Sequence, residues 1–316
     1  MINDKIYLAG HAGMVGSAIY RQLVSKHYSN IITKNLSELD LTRQSDVEEF
    51  FQKENPGIVI VAAAKVGGIL ANDMFRAEFI YENLMIESNI IHSAYKNNVQ
   101  KLIFLGSSCI YPKLAPQPLK EEYLLSDYLE FTNEPYAIAK IAGIKLCENY
   151  YRQYDCNFFS AMPTNLYGFN DNFNLNTSHV LPALIRKFHE AKINFQQDVV
   201  VWGTGTPKRE FLYVDDLAEA IVFLLEKVNA KDLYQAGITQ INIGKGKDLT
   251  INELAELISE VTSFKGKIVY DSSKPDGTPR KLMDVTRINN LGWKAKTDLK
   301  SGIQKTYQWY LEKFSS

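Results

Sequence analysis

Short, nearly uninterrupted apolar runs recur through the first half of the chain, with segments of helical spacing between them. They are KIYLAG (5–10), IITK (31–34), GIVIVAAA (57–64), KLIFLGSS (101–108) and CNFFSAMPTN (156–165). Strands that are apolar at successive positions have both faces buried, which is the situation of a parallel sheet covered by helices on either side. The intervening stretches fit that role: MVGSAIYRQLVSKH, DVEEFFQKE, FRAEFIYENLMIESNIIHSAYKNN and a helix over 136–153. The pattern predicts an α/β fold, a Rossmann-like doubly wound parallel sheet. Residues 1–165 are assigned to this nucleotide-binding domain, rejoined by about 210–244 through the amphipathic VDDLAEAIVFLLEKV. Residues 166–316 are assigned mainly to a smaller C-terminal α/β substrate-binding lobe, in which Thr250 and Glu253 have the spacing of a helix capping box.

Composition narrows the partners. A formal net charge of −1 over 316 residues gives no bulk attraction to nucleic acid or an anionic membrane. The three cysteines, Cys109, Cys147 and Cys156, have neither a metal-ligand spacing nor a disulfide framework. No apolar run reaches the roughly 20 residues of a membrane span. The opening MINDKIYLAGHAG enters a strand without a basic and then apolar leader, so a cytoplasmic location is expected.

The first strand ends in Gly10-His-Ala-Gly13-Met-Val-Gly16 and runs directly into a helix. Glycines there allow a tight turn, and the free N–H groups and dipole of the helix start attract a pyrophosphate. The second strand ends in Lys34-Asn35-Leu36-Ser37, without the carboxylate that binds the ribose 2′-hydroxyl of NAD. Lys34 favours a 2′-phosphate and therefore NADP. Further along, EPYAIAK places Tyr136 and Lys140 four residues apart, on one helical face. A nearby ammonium is expected to lower the tyrosine pKa, and such a phenol can exchange a proton with a carbonyl oxygen while hydride moves. Ser107 and Ser108, at the carboxyl end of the fourth strand, supply hydroxyls where open α/β sheets bind ligands.

These residues resemble the short-chain dehydrogenase/reductase superfamily in its extended, nucleotide-sugar branch. Within it, GHAGMVGSAI, AAAKVGGI, LGSSCIYPKLAPQP, NEPYAIAKIAGIKLCE, MPTNLYG, VVWGTGTPKREF and KPDGTPRKLMDV are similar to the GDP-L-fucose synthase family, the GDP-4-keto-6-deoxy-D-mannose 3,5-epimerase/4-reductases. The resemblance covers essentially the whole chain. It implies that Ser107, Tyr136 and Lys140 form the reductive triad and that Cys109 and His179 are the acid/base pair for epimerisation at C3 and C5. It implies NADPH as cofactor, held along Gly10, Gly13, Met14, Val15, Gly16, Lys34, Asn35, Asp40, Leu41, Ala63, Leu105 and Gly106. Pro163, Thr164, Asn165, Leu166 and His179 complete that set with the triad. Ser108, Asn165, Lys187, Trp202, Arg209 and Asp276 are the implied contacts of the GDP-sugar, and a homodimer is the implied assembly. Family members often carry Arg at the positions of Ala12 and Leu36, so a weaker preference for NADP over NAD is expected.

Three other readings remain open at this point. One is a C4 reductase of a related GDP-4-keto sugar, a deoxy-heptose or dideoxyhexose, without obligatory epimerisation. The second is an epimerase or dehydratase that regenerates a bound NAD. The third is a nucleotide-binding sensor, which would have little need for an intact Ser-Tyr-Lys set.

Overall fold

The structure is a computed structural model that describes residues 3–274 and 276–314. Strand β1 (Ile6–Ala9) leads into helix α1 (Met14–Ser25), β2 (Ile31–Ile32) into α2 (Gln44–Glu54), and β3 (Ile58–Val61) into α3 (Ile69–Met74) and α4 (Arg76–Lys96). Strand β4 (Lys101–Leu105), helix α5 (Glu134–Tyr154) and β5 (Phe158–Pro163) complete the first half. There follow β6 (Asn165–Tyr167), α6 (Val180–Ile193), β7 (Asp198–Trp202), β8 (Lys208–Tyr213), α7 (Val214–Lys227), α8 (Ala230–Gln235) and β9 (Gln240–Ile243). The chain ends through β10 (Asp248–Thr250), α9 (Ile251–Thr262), β11 (Lys267–Asp271), β12 (Arg280–Lys281), α10 (Thr286–Asn290) and α11 (Leu299–Phe314).

Among the described residues the large sheet has the order β2-β1-β3-β4-β5-β9, and every neighbouring pair is parallel. Its two faces feed separate cores. Ile6, Leu8, Ile58, Ile60, Ile103 and Leu105 pack with Ile19 and Leu23 of α1 and with Leu217 and Ile221 of α7. The alternate residues Tyr7, Ala9, Val59, Val61, Leu102 and Phe104 pack with α2, α4 and α5 through Phe51, Ile90 and Ile144. This is why the runs read as apolar at consecutive positions: each face of the pleat has its own helical layer. Strand β2 is shorter than the run at 31–34 suggests, because the chain leaves the sheet edge after Ile32 and carries Lys34 into a loop.

The return of the chain to this sheet is wide. Helix α7 and strand β9 belong to it, and Ile288 and Trp293 pack on the same core as α7. The remaining elements make small sheets, β10-β8-β12 with β6 alongside β8, and β11 beside β7, around a third core that joins α6, α9 and α11. Helix α9 begins at the expected capping box: the Glu253 amide donates to Thr250 Oγ1 at 3.1 Å, and the Thr250 amide donates to Glu253 Oε2 at 2.7 Å. Strand β1 has β2 on one side and β3 on the other, so the connections diverge there and open a crevice at the carboxyl ends of the strands. Among the described residues no helix is long and apolar enough to cross a membrane.

Candidate active site

That crevice is a cleft of about 990 Å³ running from the glycine turn to Tyr136 and His179. At its first end the chain folds back tightly. Gly10 has φ +86°, and a Cβ on Gly16 would stand 2.0 Å from the Gly10 carbonyl oxygen. Only glycine at 16 lets α1 start this close to β1. The N-cap is Gly13, with no side chain to cap the helix and no acidic residue in the first turn. The amides of Met14, Val15 and Gly16 therefore have no intrahelical acceptor, and their residues line the cleft. This cradle fits a dinucleotide pyrophosphate. Across it, the Asn170 side-chain amide donates to Ser17 Oγ at 2.9 Å and links the segment after β6 to α1.

Each residue assigned above to the dinucleotide lines this cleft, from Gly10 through Leu41 and Ala63 to Leu166 and His179. Two details were not legible in sequence. Lys34 Nζ is paired with Glu38 Oε1 at 3.3 Å, so the one cation offered by the strand end already has a carboxylate partner. His11, inside the glycine turn, lines the cleft with a buried Nδ1 that has no hydrogen-bond partner among the described residues. Leu36 is 77% exposed and offers no charge.

At the other end, Ser107 caps a single 3-10 turn (Ser108–Ile110), its Oγ accepting from the Cys109 amide at 3.5 Å. The Lys140 ammonium is buried and donates to the Leu105 carbonyl at 3.1 Å, which joins α5 to the end of β4. It also sits 4.5 Å from the Phe104 ring centroid and 5.9 Å from that of Tyr136. Tyr136 packs edge-on against Phe79, with ring centroids 6.3 Å apart. Contrary to the expectation from spacing, the phenol's pKa is raised. Burial is the main cause, with the Cys109 and Glu87 charges adding to it and the Ser107 hydroxyl opposing it. Burial likewise pulls Lys140 down, although Glu87 and Cys109 hold it up. Tyr136 is thus an acid that keeps its proton at neutral pH.

Cys109 is buried and its thiol is raised by that burial, while the Lys281 ammonium acts in the opposite direction. His179 stands at the N-cap of α6, open to the cleft, and is lowered by its crowded surroundings and by the same Lys281. Lys281 was not singled out in the sequence, although the motif KPDGTPRKLMDV contains it. It reaches the site because β12 pairs in parallel with β8 and sets Lys281 opposite Arg209. A small void behind the 3-10 turn is lined by both Cys109 and Lys281.

Of the other residues assigned to the sugar nucleotide, Ser108 and Asn165 line the cleft, whereas Lys187, Trp202, Arg209 and Asp276 do not; they gather around β7 and β8. Lys187 Nζ donates to the Val200 carbonyl at 3.0 Å and lies 5.0 Å from the Trp202 ring centroid. Lys274, which sequence reasoning passed over, approaches the same ring at 5.7 Å. Asp276 accepts from the Thr204 amide at 2.7 Å and from its hydroxyl at 2.8 Å, just after Trp202, and its charge acts on Arg209. Asn165 lines the cleft but donates its side-chain amide to the Glu210 carbonyl at 2.8 Å. Cations with an aromatic face suit a purine and a diphosphate.

Residues 6–244 match the NAD dependent epimerase/dehydratase family. The chain is 58% identical to GDP-L-fucose synthase 1 of Arabidopsis thaliana, over 98% of this chain and 93% of that protein. It is 55% identical to the GDP-L-fucose synthase of Escherichia coli (strain K12), over 99% of this chain and 98% of that one. It also superposes on a solved GDP-mannoheptose C4 reductase from Campylobacter jejuni with NADP bound, at a TM-score of 0.90 and 40% identity, covering 98% of this chain and 99% of that one.

The electrostatic arrangement around Cys109 can be checked directly. Replacing the ammonium in Lys281→Met removes the charge that favours the thiolate, so the midpoint of Cys109 alkylation should move to higher pH. Mass spectrometry of the Cys109 peptide across a pH series reads this separately from Cys147 and Cys156. An unchanged midpoint would remove Lys281 from the site's electrostatics.

Proposed function

The chain belongs to the NAD dependent epimerase/dehydratase family, and on that footing we propose that it is an epimerase/reductase converting GDP-4-keto-6-deoxy-mannose to GDP-L-fucose with NADPH, in the cytoplasm. The reading rests chiefly on Ser107, Tyr136, Lys140 and His179 lining one end of the cleft, with Cys109 directly behind Ser107 and the pyrophosphate cradle at the other end. The full-length similarity to GDP-L-fucose synthases supports the choice of substrate.

A C4 ketone acidifies the hydrogens on C3 and C5, so inversion needs a base on one side of the carbon and an acid on the other. The pocket supplies both in neutral form, since burial raises Cys109, while the crowding of the cleft and then the Lys281 charge lower His179, whose surface is nonetheless open. His179 takes a carbon-bound proton and the Cys109 thiol returns one to the opposite face. This leaves imidazolium and thiolate, and a second inversion with the roles exchanged restores the pair. Ser107 and Tyr136 then hold the C4 oxygen, and the Tyr136 hydroxyl gives it a proton. When bound, NADPH supplies the hydride that C4 receives.

The similarity to a C4 reductase favours a second reading, reduction of a related GDP-4-keto heptose or dideoxyhexose without epimerisation. One experiment separates the two. Incubation with GDP-4-keto-6-deoxy-mannose and NADPH in deuterated water should place deuterium at C3 and C5 of the product. Cys109→Ser should abolish that incorporation, while Tyr136→Phe should lower reduction by at least about a hundredfold. A reduced product without deuterium would reverse the preference.

NADPH should be favoured over NADH only modestly, because Lys34 shares its charge with Glu38 and neither Ala12 nor Leu36 contributes one. Equal kcat/KM for the two cofactors would show that Lys34 does not reach the 2′-phosphate. A homodimer through α4 and α5 completes the proposal. It is supported by the apolar residues these two packed helices leave at the surface, Ile138 at 41% and Tyr154 at 46% exposure. Light scattering at micromolar concentration should give twice the monomer mass, and a monomer there would refute it.

A further inference from the structure

Glu87 stands on α4 with 1% of its surface exposed, and neither carboxyl oxygen has a hydrogen-bond partner among the described residues. A carboxyl in that state is costly to keep, and the chemistry above does not use it. It fits against α5 through a gap left by a missing side chain. A Cβ on Gly143 would stand 3.0 Å from the Glu87 carboxyl carbon and 2.5 Å from the tip of the Phe104 ring. The same Phe104 ring carries the Lys140 ammonium 4.5 Å from its centroid. Tyr136, Lys140, Gly143 and Cys147 follow one another at intervals of four, three and four residues, so they form one stripe of α5. The titratable groups facing Glu87 are those of this stripe, Tyr136, Lys140 and Cys147, with Cys109 acting on the first two from the 3-10 turn packed against α5.

We propose that Glu87 is a positioning residue of the reductive centre: set through the Gly143 gap beside the Phe104 ring that carries Lys140, its carboxylate, once formed, holds Lys140 as the ammonium behind Tyr136. The proposal rests on the reading of Tyr136 and Lys140 given above. When the Tyr136 O–H bond breaks and its proton passes to the C4 oxygen, a phenolate remains, and an ammonium at Lys140 stabilises it. Burial pushes the Glu87 carboxyl up to about 8, while the Lys140 ammonium and the nearby Gly143 amide pull it back. As pH rises past that point the carboxylate forms and opposes loss of the Lys140 proton. Glutamine cannot ionise, so in Glu87→Gln the lysine gives up its proton at lower pH.

The test compares wild type and Glu87→Gln in single-turnover C4 reduction from neutral to alkaline pH. The variant should lose at least about tenfold more of its rate over that range, the factor that corresponds to one pKa unit. Profiles that run parallel, whether at equal rate or uniformly lowered as simple loss of packing would give, overturn the proposal. A second readout needs no turnover. The infrared difference between neutral and alkaline protein should contain a carboxylic-acid C=O band that is missing from Glu87→Gln, and its persistence in the variant also counts against the idea. If Glu87→Gln does not fold, Glu87→Asp keeps the charge one methylene further away and should show a smaller change in the same direction; an unchanged profile there overturns the proposal. Tyr136→Phe is run alongside. If it reduces at the wild-type rate, the reading of the centre itself fails, whereas an inactive Tyr136→Phe with parallel Glu87 profiles overturns only the role of Glu87.

Discussion

The bond from the Lys140 ammonium to the Leu105 carbonyl, 3.1 Å long and sealed from solvent, is the contact on which the geometry of this site turns. It fastens a helix to the end of a strand where both carry residues of the proposed reductive centre. Ser107 lies two residues beyond Leu105, and Tyr136 lies one turn before Lys140, so a single bond fixes the distance between hydroxyl and phenol. An ammonium is withdrawn from water only where something replaces its hydration. Here the replacement is the carbonyl and the face of Phe104.

One physical tendency runs through the titratable groups around the reductive centre and Cys109: burial favours their uncharged forms. It raises Tyr136, Cys109 and Glu87 and lowers Lys140, His179 and Lys281. Opposed to it are Coulomb interactions between neighbours, Glu87 with Lys140 and Cys109 with Lys281. The protons of Glu87 and Lys140 therefore belong to the pair rather than to either residue. This is a suitable background for a reaction sequence in which protons are moved on and off carbon and oxygen at the same sugar.

The fold class was legible because the signals are local. Consecutive apolar residues follow from a sheet with two helical layers, the glycine turn follows from the approach of Gly16 to Gly10, and the Thr250–Glu253 cap needs four residues. The neighbourhood of Tyr136 and Lys140 is likewise set by a helical repeat. What could not be read depends on chain segments far apart in sequence. Lys281 meets Cys109 only through the pairing of β12 with β8, Glu87 meets Lys140 only because α4 packs against α5, and Trp293 joins the core of the first sheet from near the end of the chain. The raised pKa of Tyr136 was missed for a different reason: four-residue spacing reveals which charges are near but not how much water has been excluded.

The β12 strand is two residues long, and yet its neighbours pin it at every step. Arg280 pairs with Asp248 at 2.5 Å, the Leu282 amide donates to Gln117 Oε1 at 2.9 Å, and the Met283 amide donates to Glu210 Oε2 at 2.8 Å. The Leu119 amide donates to the Leu282 carbonyl at 2.7 Å, and the Asp284 amide returns to the Leu119 carbonyl at 2.9 Å. Side chains alternate between faces along a strand, so a slip of one residue would turn the Lys281 ammonium away and present an apolar leucine or a longer guanidinium in its place. This stretch of chain therefore tolerates a change of side chain better than a change of length: a single residue inserted or lost ahead of Arg280 would alter the charge beside Cys109 without touching any residue of the cleft.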